Sequence, residues 1–158
     1  MADRLVINTG PLIALARAEA LEVVAALPIE IIAPLEVQAE LEAGVAAGHP
    51  WVSAPFVRFL PLSSALNPIA IANLDIGEAA VIQLALDQAV AAVCIDERKG
   101  RRAATAIGLR VTGTLGLLGR AKTMGIIQAV RPFVDRLSRE GEWFDAALVA
   151  RVLAGLGE

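Results

Sequence analysis

Two oxygen-bearing side chains stand at the same kind of place in this chain, far apart in sequence. The apolar run Leu5-Val6-Ile7 ends in Asn8 and turns through Thr9-Gly10-Pro11 into Leu12-Ile13-Ala14-Leu15. The apolar run Ala91-Ala92-Val93-Cys94-Ile95 ends in Asp96 and passes through Glu97 into Arg98-Lys99-Gly100-Arg101-Arg102-Ala103-Ala104. Each reads as a buried strand that stops where a helix starts, and in open parallel sheets that edge is where ligands bind. Two such oxygens, joined by carboxylates from nearby helices, could hold a divalent cation.

Each candidate donor also has a plainer reading. Asn8 could cap the helix that follows it, and its neutral amide oxygen is a weaker ligand for Mg2+ than a carboxylate. Asp96 and Glu97 could simply be acids stabilised at a helix N-terminus. The strand-end position of Asp96 favours a ligand, with Glu97 in support. Asp75-Ile76-Gly77-Glu78 has the spacing of a capping box. Yet Glu78 shares a helical face with Val81, Ile82 and Ala85, while Gln83 and Asp87 fall on the polar side. A carboxylate turned inward is costly unless it is paired or metal-bound, so the sequence assigns capping to Asp75 and function to Glu78. Glu40 lies in a helix opened by Pro34 and closed by Gly44. It shares a face with Val37 and Gly44 but also with Glu36, so it is either a solvated glutamate or a ligand. Arg98, Lys99, Arg101 and Arg102 are a solvated helix face or, beside an acidic pocket, contacts to nucleic-acid phosphates. On the second reading Arg110, Arg120 and Lys122 extend the patch. Thr112 and Thr114 could bond a ligand or cap the next helix.

The elements that must position these residues alternate along the chain. Strands are expected at 4–8, 29–32, 57–60, 91–95 and 109–112. Helices are expected at 11–17, 20–26, 34–44, 77–90, 98–107, 114–124, 127–138 and 145–154. Short β-runs separated by helical periods indicate parallel βαβ units with helices on both faces of a sheet. Residues 61–75, with two prolines and a polar cluster, read as an irregular loop that could lie beside a site. The chain reads as one domain over 1–158, with the helices from about 127 to 158 as a cap on it. Trp143 and Phe144 are the expected anchors of that cap.

Composition narrows the chemistry. Of 158 residues, 56% are apolar, enough for a thick core. The net charge of −3 gives no global attraction to a polyanion, so a nucleic acid would need a local patch or bound metal. The one cysteine, Cys94, excludes an intrachain disulfide and a cysteine-based zinc site, and it fits a core position in a reducing cytosol. A single histidine, His49 in a Gly-His-Pro loop, gives no support to Ser-His-Asp or multi-histidine chemistry. A small-molecule phosphatase or nucleotide-binding protein would call for a glycine-rich phosphate loop or an Asp-x-Asp nucleophile, and neither is visible. No secretion signal is visible, and no stretch approaches the ~20 apolar residues of a membrane span. A cytoplasmic location is expected.

Four segments taken together, at 6–15, 74–85, 95–104 and 111–118, resemble the PIN-domain family. They are Val-Ile-Asn-Thr-Gly-Pro-Leu-Ile-Ala-Leu, Leu-Asp-Ile-Gly-Glu-Ala-Ala-Val-Ile-Gln-Leu-Ala, Ile-Asp-Glu-Arg-Lys-Gly-Arg-Arg-Ala-Ala and Val-Thr-Gly-Thr-Leu-Gly-Leu-Leu. More narrowly, they look like a prokaryotic branch related to VapC-type toxins of toxin–antitoxin pairs. The resemblance implies a three-layer α/β/α fold around a mainly parallel sheet of about five strands. It implies an acidic pocket for Mg2+ or Mn2+ that cleaves RNA, a homodimer, and an antitoxin protein as partner. Carried over by position, the four acidic sites fall on Asn8, Glu40, Glu78 and Asp96, with Asn8, Glu78 and Asp96 as metal ligands. The family's polar positions fall on Thr9 and Thr112. Asn8 stands where the family usually has Asp, which removes one negative charge from the pocket. The implied activity is a metal-dependent ribonuclease. The alternative is a PIN-like scaffold that binds RNA or protein and has lost turnover with that charge.

Overall fold

A computed structural model describes residues 3–142 and 144–158. Trp143, one of the expected anchors of the C-terminal cap, lies outside the described residues. The elements run β1 (Asp3–Ile7), α1 (Thr9–Arg17), α2 (Leu21–Ala25), β2 (Ile29–Pro34), α3 (Leu35–Ala46), β3 (Val57–Leu60) and α4 (Pro68–Asn73). They continue α5 (Ile76–Asp87), β4 (Ala92–Cys94), α6 (Arg98–Ala106), β5 (Arg110–Thr112), α7 (Thr114–Thr123), α8 (Arg131–Arg139) and α9 (Ala146–Gly155).

The five strands form one sheet in the order β3-β2-β1-β4-β5, and every neighbouring pair is parallel. Helices flank it to give the three-layer α/β/α arrangement expected from the sequence. Leu5, Val6 and Ile7 of β1 are all buried, as are Ile31 to Pro34 of β2 and Val93 and Cys94 of β4. Such unbroken apolar runs mark strands covered on both faces. Each edge strand also carries an exposed arginine, Arg58 on β3 and Arg110 on β5. Helix α5 lies across β1, β2 and β4 and packs beside α3 and α6. Helix α7 packs on β5 and meets α1, α2 and α9. Val81, Leu84, Ile95, Leu118 and Leu137 are among the residues that fill the core between these layers.

The strand order creates a switch point. From β1 the chain proceeds outward to β2 and β3, then returns to add β4 and β5 on the other side of β1. Loops leaving the carboxyl ends of β1 and β4 therefore part in opposite directions and leave a crevice between them, the usual ligand position in such sheets. Asn8 follows β1 directly, and Asp96 lies two residues beyond the end of β4.

Two expectations need correction. The segment 61–75 is not wholly irregular, since Pro68–Asn73 is helical. Asn67 caps it by accepting from the Ile69 amide at 2.8 Å, and Pro68 occupies the first turn, where a missing N–H costs nothing. The helix expected from 127 begins only at Arg131. The first part of the 61–75 segment is pinned to the far end of α5, where Asp87 Oδ2 accepts from the amides of Ser63 and Ser64. Phe144 is half-buried and packs against the core.

Candidate metal centre at the switch point

At the end of β1, Ile7 pairs with Cys94, and the Asn8 amide donates to the Cys94 carbonyl at 3.0 Å. Asn8 occupies the N-cap position of α1, but its side chain makes no capping hydrogen bond. Only 7% of the residue is exposed, and its Oδ1 is buried without a partner. The capping alternative thus does not account for this side chain. Next to it, buried Thr9 donates from Oγ1 to Glu40 Oε2 at 2.7 Å. That bond brings the exposed Glu40 of α3 back to the end of β1. The Glu40 carboxyl carbon lies 2.8 Å from where a Cβ on Gly77 would be, so it rests against the first turn of α5.

Glu78 follows on that turn. Asp75 Oδ1 accepts from its amide at 2.7 Å, the capping role read from the sequence. The reciprocal half of a capping box is missing, because the Glu78 side chain turns inward with Val81, Ile82 and Ala85. Glu78 is 2% exposed, and its Oε1 is buried without a partner. Burial pushes its carboxyl up to about 7, helped by the charge of Asp75 and by the Glu97 carboxyl alongside it. A carboxylate held at this point has lost its water and gained acidic neighbours, the setting in which a proton or a cation is favoured.

Asp96 closes the row. It is half-buried, and both oxygens bond Thr114: Oδ1 accepts from the amide at 2.8 Å and Oδ2 from the hydroxyl at 2.6 Å. Asp96 therefore stands at the N-terminus of α7, eighteen residues on, rather than that of the helix next to it. Glu97 is the N-cap residue of that nearer helix, α6, without a side-chain capping bond. Within α6, Arg98, Lys99 and Arg102 are exposed. Arg101 is half-buried and donates from Nη1 to the Ile95 carbonyl at 2.8 Å, which draws it back to the strand end.

The structure thus brings Asn8, Thr9, Glu40, Glu78, Asp96, Glu97 and Arg101 to the carboxyl end of the sheet. Other candidates go elsewhere. Thr112 lines a groove of about 150 Å3 with Asp3, Arg110, Gly116 and Arg120, and it is Thr114 that bonds Asp96. Arg120 pairs with Asp3 at 2.7 Å. Lys122 bonds the Leu156 carbonyl at 2.6 Å and Glu158 at 3.0 Å. These two cations serve the termini and do not extend the α6 patch. A larger cavity of about 460 Å3, lined by Val134, Phe144, Val149 and Leu153, holds none of the candidate site residues. Cys94 is fully buried, and burial pushes its thiol up, which removes it from nucleophilic chemistry.

The donor set is all hard oxygen, the type Mg2+ and Mn2+ take. A cation would satisfy the two orphaned acceptors, Asn8 Oδ1 and Glu78 Oε1. Among the described residues, however, no three His, Cys, Asp or Glu side chains converge as a ready-made metal cluster.

A family model, DUF3368, described as a PIN domain, matches residues 4–158. The chain belongs to the PIN-domain family. PIN domains are generally nucleases and typically work with divalent metal ions, so the fold is a nuclease fold. No significant match was found among curated proteins or among solved structures. Among the described residues no helix is long and apolar enough to cross a membrane.

Proposed function

We propose that this protein is a Mg2+- or Mn2+-dependent endoribonuclease of PIN type, the toxin of a type II toxin–antitoxin pair. On this reading residues 1–158 are one PIN-like domain with the C-terminal helices as its cap. It acts in the cytoplasm as a homodimer that an antitoxin holds in check. The observation that carries the reading is the pair of buried, unpartnered oxygens, Asn8 Oδ1 and Glu78 Oε1, at the switch point of the sheet. Burying two acceptors with nothing to bond is expensive unless a ligand completes them.

Asn8, Glu78 and Asp96 hold the ion, and Glu40 adds a carboxylate at its rim, positioned by Thr9. When bound, the ion supplies a water of lowered pKa and neutralises charge on the phosphate. Asp96 is oriented by Thr114, and Thr112, expected to support the site, is assigned no part in it. Without an ion, burial pushes the Glu78 carboxyl up to about 7, helped by Asp75 and Glu97, and a bound cation would favour its ionised form as a ligand. Arg98, Lys99 and Arg102 take the RNA backbone through its phosphates, and Arg101, held at the strand end, takes the phosphate nearest the acids.

RNA cleavage by the purified protein with Mn2+ tests this directly. Chelator abolishes it, and Glu78→Gln or Asp96→Asn lowers it at least a hundredfold. Undiminished cleavage by both variants sinks the assignment. A second reading, a scaffold that binds RNA or protein without turnover, is favoured by the commitment of both Asp96 oxygens to Thr114. Under it the wild type takes up no Mn2+, and Asn8→Asp, which restores the missing charge, does.

A further inference from the structure

Three buried glycines lie against residues at the acidic end of the sheet. A Cβ on Gly77 of α5 would meet the Glu40 carboxyl, with Cδ at 2.8 Å and one oxygen at 3.0 Å. A Cβ on Gly113, before α7, would lie 2.6 Å from Asp96 Oδ1 and 2.9 Å from Arg101 Nη1. A Cβ on Gly100 of α6 would lie 2.9 Å from Ile95 Cγ2, with Glu78 Cδ at an ordinary contact distance of 3.4 Å. None of the three has a left-handed backbone, so conformation does not demand glycine at these positions. All three are buried, and two sit inside helices, where glycine weakens the element relative to alanine. What Gly77 and Gly113 do require is room for a charged group, whereas Gly100 makes room for Ile95.

We propose that Gly77 and Gly113 are positioning residues of the acidic site, each seating a carboxylate in the space its absent Cβ leaves. Gly77 seats Glu40, and Gly113 seats Asp96 together with the Arg101 guanidinium. Their importance to metal and RNA rests on the nuclease reading above; the seating itself does not. Gly77 is the sharpest case. Real Cβ atoms essentially never approach another atom closer than 3.0 Å, and the added methyl would meet one Glu40 carboxyl oxygen and stand 2.8 Å from the carboxyl carbon. Glu40 is exposed and its carboxyl is the end of a flexible side chain, so it is the group that yields, and yielding costs it the bond to Thr9. At Gly113 the added methyl would come between Asp96 Oδ1 and Arg101, two groups tied separately to Thr114 and to the Ile95 carbonyl.

A double-mutant cycle separates seating from ordinary helix effects. Urea midpoints and Mn2+ titrations are measured on the full chain for wild type, Gly77→Ala, Glu40→Ala and the double variant. Gly77→Ala is expected to lower the midpoint in the wild-type background. In the Glu40→Ala background the same change is expected to raise it, because only the helix-forming gain of alanine remains. Gly44→Ala, on α3 with open space around it, raises the midpoint in both backgrounds. Gly77→Ala is also expected to weaken Mn2+ binding at least tenfold, while Gly44→Ala leaves it unchanged. If Gly77→Ala folds only when Glu40→Ala accompanies it, that is the same inversion in stronger form. Equal shifts in the two backgrounds overturn the seating. Inversion with unaltered Mn2+ affinity overturns its role in the site. A wild type that binds no Mn2+ refutes the metal reading, and the midpoints still decide the seating.

Discussion

Replacing Glu78 by Gln should make the protein more stable while stopping its chemistry. The side chain is almost wholly buried, its Oε1 has no partner, and its carboxyl is pushed from the ordinary 4.5 up to about 7. The sign follows from which state binds the proton more tightly. Between pH 4.5 and 7 the unfolded chain has released this proton while the folded one keeps it, so stability falls as pH rises through that window. Each tenfold difference in proton affinity between the two states is worth about 1.4 kcal/mol. The penalty therefore reaches about 3 kcal/mol by pH 8 and is about 1 kcal/mol at pH 5. Glutamine keeps the volume and cannot ionise, and its amide can donate to the Glu97 carboxyl beside it. Glu78→Gln should therefore gain about 3 kcal/mol at pH 8 and about 1 kcal/mol or less at pH 5. For a chain of this length that is a rise in Tm of roughly 6–12 °C at the higher pH. Urea denaturation of both proteins at the two pH values, with chelator present to exclude metal binding, gives the comparison. A gain independent of pH, or a loss at pH 8, would refute the claim that Glu78 is a strained, desolvated acid kept for function.

Other substitutions report on the surroundings. Asp96→Asn leaves an acceptor for the Thr114 amide but weakens both bonds and removes the charge at the start of α7. A loss of about 1–3 kcal/mol in urea denaturation is expected, together with loss of RNA cleavage. Unchanged stability would mean that the two Thr114 bonds are not formed in solution. At the other end of the molecule, burial works to raise the Glu158 carboxyl. The amides of Val130 and Arg131 and the Lys122 ammonium outweigh it and hold the group down at about 2. The stability from this clasp is full above about pH 4.5 and is lost as pH falls towards 2. Glu158→Gln should cost about 1–2 kcal/mol at pH 7, and thermal melts should show the difference shrinking steadily below about pH 4.5. Ala89, after α5, has φ of 52°, a left-handed conformation that L-residues pay about 1–2 kcal/mol to adopt. Ala89→Gly should raise the urea midpoint without altering RNA cleavage, and a lowered midpoint would contradict that backbone conformation.

Much of the fold was legible because its signals are local. Unbroken apolar runs at Leu5–Ile7 and Ala91–Ile95 mark doubly covered strands, and Glu78 announced its burial by sharing a face with Val81, Ile82 and Ala85. The short helix α4 carried its signal too, Asn67 as cap before Pro68, but lay hidden in a stretch rich in loop residues. Thr112 and Thr114 could not be separated by sequence, since one ends the last strand and the other opens the helix two residues on. The structure sends one to an outer groove and the other to Asp96, because Thr114 opens α7 and is buried beneath the sheet edge. Arg120 and Lys122 share charge with the α6 patch but not location, because their own helix carries them towards Asp3 and Glu158.

By itself, then, the sequence determined the five strands and most of the helices, that the sheet is parallel, and which side chains are chemically able to form an acidic site. These follow from periodicity, capping and composition, all of which act over a few residues. Only the tertiary structure decided that β1 and β4 are neighbours, so that Asn8 and Asp96 meet at one switch point although 88 positions separate them. It alone showed that Asn8 Oδ1 and Glu78 Oε1 are left without partners, and that Glu40 comes back to Thr9. Strand order and the partners of a buried group depend on how distant elements pack to cover both faces of the sheet, and no local pattern in the chain encodes that outcome.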